Sequence, residues 1–262
     1  MELPALAERP ASELRGSVFR IIEERAEVAT AELDDDRHWI PHRELEFDQQ
    51  GRIVSLRQYS LDGTCILQTY RYNNHGLSEI ETRFEEGDLI KTEACIYDEF
   101  GNLIGEKHIS GTGSLNMSVQ ITLDDQDRMI ERRHFNPDGK LGVRYVYSYN
   151  EQGRLHELVG FEQDSIIDRK NFMYDSDGLV KDVEIAEFFS STVSVFQYDV
   201  HQAVALWLDP EAEIDHWKGK RQEFRYDSQG NWVTMRRYDI FVEGSNIREY
   251  PREAYRRSII YF

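Results

Sequence analysis

The chain has 262 residues, 40% of them hydrophobic and 31% charged, enough apolar material for a core and enough charge for an extensive wet surface. Asp and Glu number 49 against 31 Lys and Arg, a formal net charge of −18, and such a field repels phosphate backbones and anionic bilayers, so nucleic acid is not an expected partner. No run of about 18 apolar residues offers a transmembrane helix, and MELPALAERPASELRG lacks the basic-then-apolar order of a signal peptide.

Residues 1–15, with Pro4 and Pro10, are expected to form a tail or short helix. One β domain is expected over 16–262, opening on the strand-like GSVFRIIEERAEV and a loop at LDDDRHW. One phrase then recurs: EFDQQGRI, RYNNHGLS, IYDEFGNL, TLDDQDRM, SYNEQGRL, MYDSDGLV and RYDSQGNW. The paired turn residues are Asp48 and Gly51, Asn73 and Gly76, Asp98 and Gly101, Asn150 and Gly153, Asp175 and Gly178, and Asp227 and Gly230. Asp124 and Asp127 fill the same places in the fourth unit. A fixed period of about 25 residues is the mark of a repeat architecture.

A second turn divides each period, as in SLDGTC, FEEGDL, SGTGSL and FNPDGKL, leaving room for a strand of roughly 6 to 8 residues on either side. The chemistry is that of hairpins. An Asp or Asn oxygen can accept the N–H two residues on, and Gly takes the positive φ that closes the loop. Positions two and eight residues beyond the turn Gly share one strand face by parity and are mostly large, as at Leu103, Ile109, Leu155 and Phe161, with Ser78 and Ala186 the exceptions. In LGVRYVYSY the tyrosines alternate with Gly142, Arg144, Val146 and Ser148, which predicts one buried and one mostly wet face. The fold class is all-β: consecutive antiparallel β-hairpins in a sheet that right-handed twist would curl.

These phrases resemble the YD-repeat, or Rhs-repeat, family, whose unit is a Tyr-Asp-x-x-Gly-Asn/Arg-Leu hairpin. IYDEFGNL and FRYDSQGNW carry the likeness most fully, and it spans residues 43 to 240. The resemblance implies a coiled antiparallel ribbon, which in the large toxins of the family forms a shell around a cargo domain. Those toxins also carry an Asp-Pro-x-x-Gly core motif for self-cleavage. Here Asp209-Pro210 continues Glu-Ala-Glu-Ile without a Gly, so neither self-cleavage nor a carried toxin is expected.

The cadence falters over about 183–220, which reads as an irregular insertion. Tyr198-Asp199 stands where a turn is due, with no Gly after it. The segment holds Trp207, Trp217, His201, Asp215 and His216, the candidate binding residues, because exposed Trp anchors interfaces. Their other reading is an apolar cap on the sheet.

Cys65 and Cys95 stand alone and read as free thiols. His75, His108, His134 and His156 read as solvated, for want of nucleophile-to-base spacing. No phosphate loop, nucleophile elbow or calcium loop is present, so no cofactor and no metal is expected. The expected function is non-enzymatic: a curved repeat surface that binds a protein or glycan. Two alternatives stand beside it, an accessory or immunity-type protein of a bacterial toxin system and a carbohydrate-active enzyme using acidic residues in the concavity. A cytoplasmic location follows by default, or the cell envelope or exterior if a leader is trimmed or another export route is used.

Overall fold

The computed structural model describes residues 14–27, 39–85, 87–187, 190–198, 204–210, 216–243 and 246–262. Among these, the secondary structure is eighteen β-strands. The first six are β1 (Val18–Glu27), β2 (Ile40–Phe47), β3 (Ile53–Tyr59), β4 (Cys65–Asn73), β5 (Gly76–Phe84) and β6 (Leu89–Tyr97). Then come β7 (Leu103–Ser110), β8 (Leu115–Leu123), β9 (Met129–Phe135), β10 (Leu141–Tyr149), β11 (Leu155–Glu162) and β12 (Ser165–Tyr174). The last six are β13 (Val180–Glu187), β14 (Ser190–Tyr198), β15 (Val204–Pro210), β16 (His216–Tyr226), β17 (Trp232–Glu243) and β18 (Asn246–Tyr261).

The chain divides into two compact units, one of residues 1–63, 174–182 and 192–262, the other of 64–173 and 183–191. In the second, β4 to β12 follow one another as antiparallel neighbours. In the first, β14 to β18 do the same, and β18 pairs with β1, which pairs with β2, and β2 with β3. The first and last strands of the chain therefore lie side by side, each covering an edge that would otherwise be exposed. Strands β13 to β16 run through the segment that sequence marked as an insertion.

Six of the seven outer turns are closed by the same three bonds. At Asp98, the carboxylate Oδ1 accepts the N–H of Phe100 at 2.9 Å and of Asn102 at 2.8 Å, and the N–H of Gly101 bonds back to the Asp98 carbonyl at 3.2 Å. Asp48, Asp124, Asn150, Asp175 and Asp227 accept from their own second and fourth followers in the same way. The closing residue needs φ near +80°: Gly51, Gly101, Gly153, Gly178 and Gly230 all have it, and Asp127 reaches +59° in their place, as Asp does more readily than most residues. Asn73 is the variant, accepting from His75 and Gly76 in a tighter loop where Asn73 pairs directly with Gly76.

The fifth residue of the motif completes the turn. Arg52 and Arg128 each donate from Nε to the second carboxylate oxygen at 2.8 Å, and the Asn102 amide does so at 3.3 Å. Bonds to the ionised form lower a carboxyl's pKa. The Asn102 backbone N–H chiefly holds Asp98 below its ordinary value, and the Arg128 side chain does so at Asp124.

The tyrosine before the turn reaches back one repeat. Tyr97 donates its hydroxyl to the Leu77 carbonyl at 2.6 Å, and Tyr149 to the Met129 carbonyl at 2.8 Å. Neighbouring turns also touch: His75 stacks on Tyr97, the Asn102 amide bonds Asp127 at 3.2 Å, and the Arg128 guanidinium lies 4.5 Å over the Tyr149 ring. In the first unit the chain ends supply this contact. Asn231 Nδ2 donates to the Arg15 carbonyl at 2.7 Å and to the Tyr261 hydroxyl at 2.9 Å, and that hydroxyl bonds Asp227.

The apolar core is small. Val18, Ile21 and Phe47 pack together in the first unit with Leu14, Leu45, Ile53, Ile259 and Tyr261 around them. In the second unit Val119, Ile121 and Val159 are buried, but Val159 lies on the opposite face from the other two. Strand β10 corrects the expectation of one dry and one wet face, because its residues are half-buried on both sides except Leu141 and Ser148. The reason is that both faces carry paired charges and tyrosines, which cover apolar neighbours with their stems while their heads stay wet.

A paired substitution separates the turn from its neighbour. A Cβ at Gly51 (φ +76°) meets nothing within 4 Å, whereas one at Gly101 (φ +90°) comes within 2.9 Å of His75 Nδ1. Gly51→Ala should cost about 1–2 kcal/mol from the left-handed backbone alone. Gly101→Ala should cost more than that in urea unfolding, and equal losses would show that the contact between turns contributes nothing.

Candidate functional site

The register of the second unit places a line of polar side chains on one face. Tyr70 stands opposite Ile80, Ile80 opposite Glu93, and Glu93 opposite His108. Glu106 is two residues from His108 and opposite Val119, His134 is opposite Val119 in turn, and Arg132 is opposite Tyr145. Parity thus puts Tyr70, Glu93, His108, Glu106, Arg132 and Tyr147 on a single face. From β4 to β10 the line crosses six strand spacings, about 29 Å measured along the sheet.

Its charges are joined end to end. Lys91 Nζ bonds the Glu93 carboxylate, and His108 Nδ1 lies 3.9 Å from that carboxylate. His108 Nε2 is 3.3 Å from Glu106 Oε2, to which Arg132 Nη2 donates at 2.8 Å. The tyrosines stand at the two ends. Burial raises the Tyr70 hydroxyl above its usual pKa, with Tyr72 and Glu93 adding to it; burial raises Tyr147 too, against the pull of Arg132. Tyr70 donates to Gln68 at 3.0 Å, while the Tyr147 hydroxyl has no hydrogen-bond partner among the described residues.

Two histidines read from sequence as solvated are not so. The His108 side chain is only 20% exposed and lies against two carboxylates. His134 packs edge-on to Tyr145 at 5.7 Å, and burial, with the Arg132 charge, pushes its pKa down. Their positions follow from strand parity, which the absence of a catalytic spacing does not report. Neither Cys65 nor Cys95 forms a disulfide. Burial, then Glu106 and Glu93, push Cys95 up, which keeps it protonated and a poor nucleophile.

In the first unit a buried ionic cluster lies on one face of β1, β2, β17 and β18. Glu23 is 2% exposed. Arg43 Nε lies 2.9 Å from its Oε1, Arg257 Nε donates to Oε2 at 2.7 Å, and His42 Nε2 is 3.7 Å away. The Arg257 guanidinium carbon sits 3.3 Å from the centre of the Trp232 ring. Nearby, burial and a hydroxyl bond to Glu253 push the Tyr255 pKa up to about 12. These charges face one another inside the unit, and the cluster reads as internal structure.

Of the residues singled out from sequence, Trp207 lies in β15 opposite Lys220 of β16, and Trp217 in β16 opposite Pro210 and Val242. His216 opens β16 opposite Glu243. His201 and Asp215, with Asp199, lie outside the described residues. Among the described residues no group of three or more His, Cys, Asp or Glu is arranged to hold a metal ion. The tyrosine and charge line was missed from sequence, although Glu93 and Glu106 lie a half-period apart and Glu106 and Arg132 a full one.

The protein defined by these features is an all-β protein of consecutive antiparallel hairpins. No known family profile matches the chain, and no curated protein matches it. Among solved structures it is similar to a porin-like protein from Bacteroides uniformis, at 11% identity and a TM-score of 0.52, over 94% of this chain and 98% of that one. At that identity the likeness is one of fold. Similar too are two crystal structures of TcdB2-TccC3. One, with Cdc42, matches at 13% identity and TM-score 0.31 over 88% of this chain. The other, with TEV, matches at 10% and 0.30 over 83%. The chain spans 14% and 15% of those two.

No helix among the described residues is long and apolar enough to cross a membrane. A membrane barrel instead needs an apolar band about 25 Å tall on its lipid side. In the second unit one face carries Arg71, Glu79 and Glu81 and then Glu131, Arg133 and Arg144 in ion pairs, while the other carries the line just described. Among the described residues, both faces of this unit therefore carry charged side chains.

The Glu23 cluster gives a stability prediction. Removing one member of a buried pair leaves its partners uncompensated and costs about 3–5 kcal/mol, whereas a surface pair is worth about 0–1 kcal/mol. Glu23→Ala should therefore lower the urea midpoint far more than Glu249→Ala, although the exposed Glu249 also pairs with an arginine, Arg221 at 2.7 Å. Equal losses would mean that the cluster does not hold β1, β2 and β18 together.

Proposed function

We propose that the chain is a non-enzymatic repeat protein of YD/Rhs type that binds a partner across the face bearing Tyr70, Glu93, His108, Glu106, Arg132 and Tyr147. The observation that supports it is the line itself: half-buried, hydrogen-bonding side chains of one face, drawn from five of the seven strands β4 to β10 and ended by tyrosines. The kinship to YD/Rhs proteins is supported by the turn itself, since Tyr, Asp, Gly and Asn/Arg each make a bond that the repeat requires. Trp207 and Trp217 are proposed as separate contacts, since the register sets them on opposite faces of β15 and β16. Charges on both sheet faces support action in water rather than within a bilayer.

A hydrolytic reading has one observation in its favour, the two carboxylates Glu93 and Glu106 that bracket His108. The two readings separate experimentally. Tagged protein is used to capture partners from its source cells, beside a Glu106→Gln/Tyr147→Ala variant and a Trp207→Ala/Trp217→Ala variant. Binding predicts a molecule retained by the parent and lost by the first variant. Retention of the same molecules by all three would overturn the reading. Turnover of a captured glycan that Glu93→Gln or Glu106→Gln abolishes while capture persists would establish the hydrolase.

A further inference from the structure

Independently of the line in the second unit, we propose that a cavity beside the first turn, in the first unit, receives an arginine side chain presented by a protein partner. The argument begins with what covers the other turns. A Cβ built at Gly101 comes within 2.9 Å of His75 Nδ1, one at Gly153 within 3.7 Å of Arg128 Nη1, and one at Gly230 within 2.8 Å of Arg15 Nη1. Each of these glycines closes an outer turn, so three turns hold an imidazole or a guanidinium against the closing residue. Two of the covering groups also lie on the ring that precedes the turn. His75 stacks on Tyr97, and the Arg128 guanidinium carbon is 4.5 Å from the centre of the Tyr149 ring.

At the first turn the corresponding place is a cavity of about 410 Å³, lined by Gly51, where a Cβ meets nothing within 4 Å among the described residues. That volume lies in the range of ligand pockets, roughly 300–1,000 Å³. Phe47 stands directly before Asp48, where the other turns have tyrosine, and forms part of the wall. It is only 3% exposed, so the ring open to a ligand is Phe262, which also lines the cavity and is 58% exposed. Phe262 is held before any ligand arrives. Its N–H donates to the Ser17 carbonyl at 2.8 Å, and its ring meets Phe19 edge-on at 5.3 Å.

The lining favours arginine over other cations. Arg52 donates from Nε to Asp48 Oδ2 at 2.8 Å, and its Nη2 lies 2.7 Å from the same oxygen. The carboxylate of this turn is thus already matched, and a compact ammonium gains little from it. A guanidinium asks less: it is weakly hydrated, its flat face stacks on a ring, and its five N–H donors lie in one plane. Ser17, Gln49 and Gln50 line the cavity and are exposed, and their hydroxyl and amide oxygens can accept those donors. At longer range the net charge of −18 draws a basic partner and repels an acidic one.

The test is NMR titration of the isotope-labelled full chain with acetyl-Gly-Gly-Arg-Gly-Gly-amide, and with the same peptide carrying citrulline, lysine or glutamate in place of arginine. Salt at about 150 mM screens diffuse attraction. The proposal predicts that the arginine peptide shifts the amides of Gln50, Gly51 and Arg52 saturably, while those of Gly101 and Gly153, already covered, stay where they are. Citrulline keeps the shape of arginine and loses its charge, and should bind at least about fivefold more weakly, with lysine also weaker than arginine and glutamate weakest. Phe262→Leu keeps apolar bulk and removes the ring, and should weaken the arginine peptide about threefold, with the rest of the spectrum unchanged to show that the fold is kept. The proposal is overturned if the three amides show no saturable shift up to about 10 mM peptide, if citrulline binds as tightly as arginine, or if Phe262→Leu binds as the parent does. Equal shifts at Gly101 and Gly153 would also overturn it, because they would report attraction to an acidic chain rather than a site.

Discussion

One carboxylate oxygen accepting two backbone N–H groups is the constraint on which the structure rests. It turns a five-residue phrase into a closed loop whose exit direction is fixed, and the positive φ of the following Gly completes it. A hairpin on its own is marginally stable in water. At Tyr97 and Tyr149, just before two of the turns, a tie to the preceding unit is added: each hydroxyl satisfies a carbonyl twenty residues earlier in the chain. Turn and tyrosine together set the repeat length: the loop defines where a strand starts, and the hydroxyl defines where it must lie relative to the last one.

Because that geometry is carried by backbone and turn, the strand faces are released from having to form a thick dry core. Buried apolar side chains are few and distributed over both faces, and ion pairs take up much of the remaining surface. Exposed pairs of this kind contribute little each. The exceptions are where the chain ends meet: Glu23 is buried between Arg43 and Arg257, and Asn231 joins Arg15 to Tyr261. Strands β1 and β18 come from opposite ends of the chain, so nothing local holds them together, and the strongest polar interactions are concentrated there. A face free to be polar is also a face free to bind, which is how the line from Tyr70 to Tyr147 comes to exist at all.

The fold was legible because its determinants are local. Asp98 and Gly101 declare a turn within four residues, and seven copies of that phrase declare a repeat. The line was not legible for the opposite reason. Glu93, Glu106 and Arg132 are neighbours only through the register of four strands, and that register includes a bulge beside most turns, each of which shifts the pairing. Counting by twos along one strand identifies a face, but carrying it across bulges needs the pairings themselves. Trp207 and Trp217 drew notice from sequence because tryptophan is rare, whereas His108 did not, since its importance lies in its neighbours. The extra strands between 183 and 220 were hidden by the loss of Gly, which removes the turn signal without removing strand propensity.

The central claim is that the tyrosine hydroxyl, and not the turn alone, ties one repeat to the next. Native-state hydrogen exchange on the Tyr97→Phe/Tyr149→Phe variant tests it most directly, read at the amides of Phe100, Asn102, Gln152 and Arg154, which bond Asp98 and Asn150. The account predicts that these amides exchange about fivefold faster, for roughly 1 kcal/mol lost per hydroxyl bond, while Gln50 and Arg52 of the unaltered Asp48 turn keep their protection. Unchanged exchange at all six amides would contradict it and leave each hairpin to hold its place by strand pairing alone.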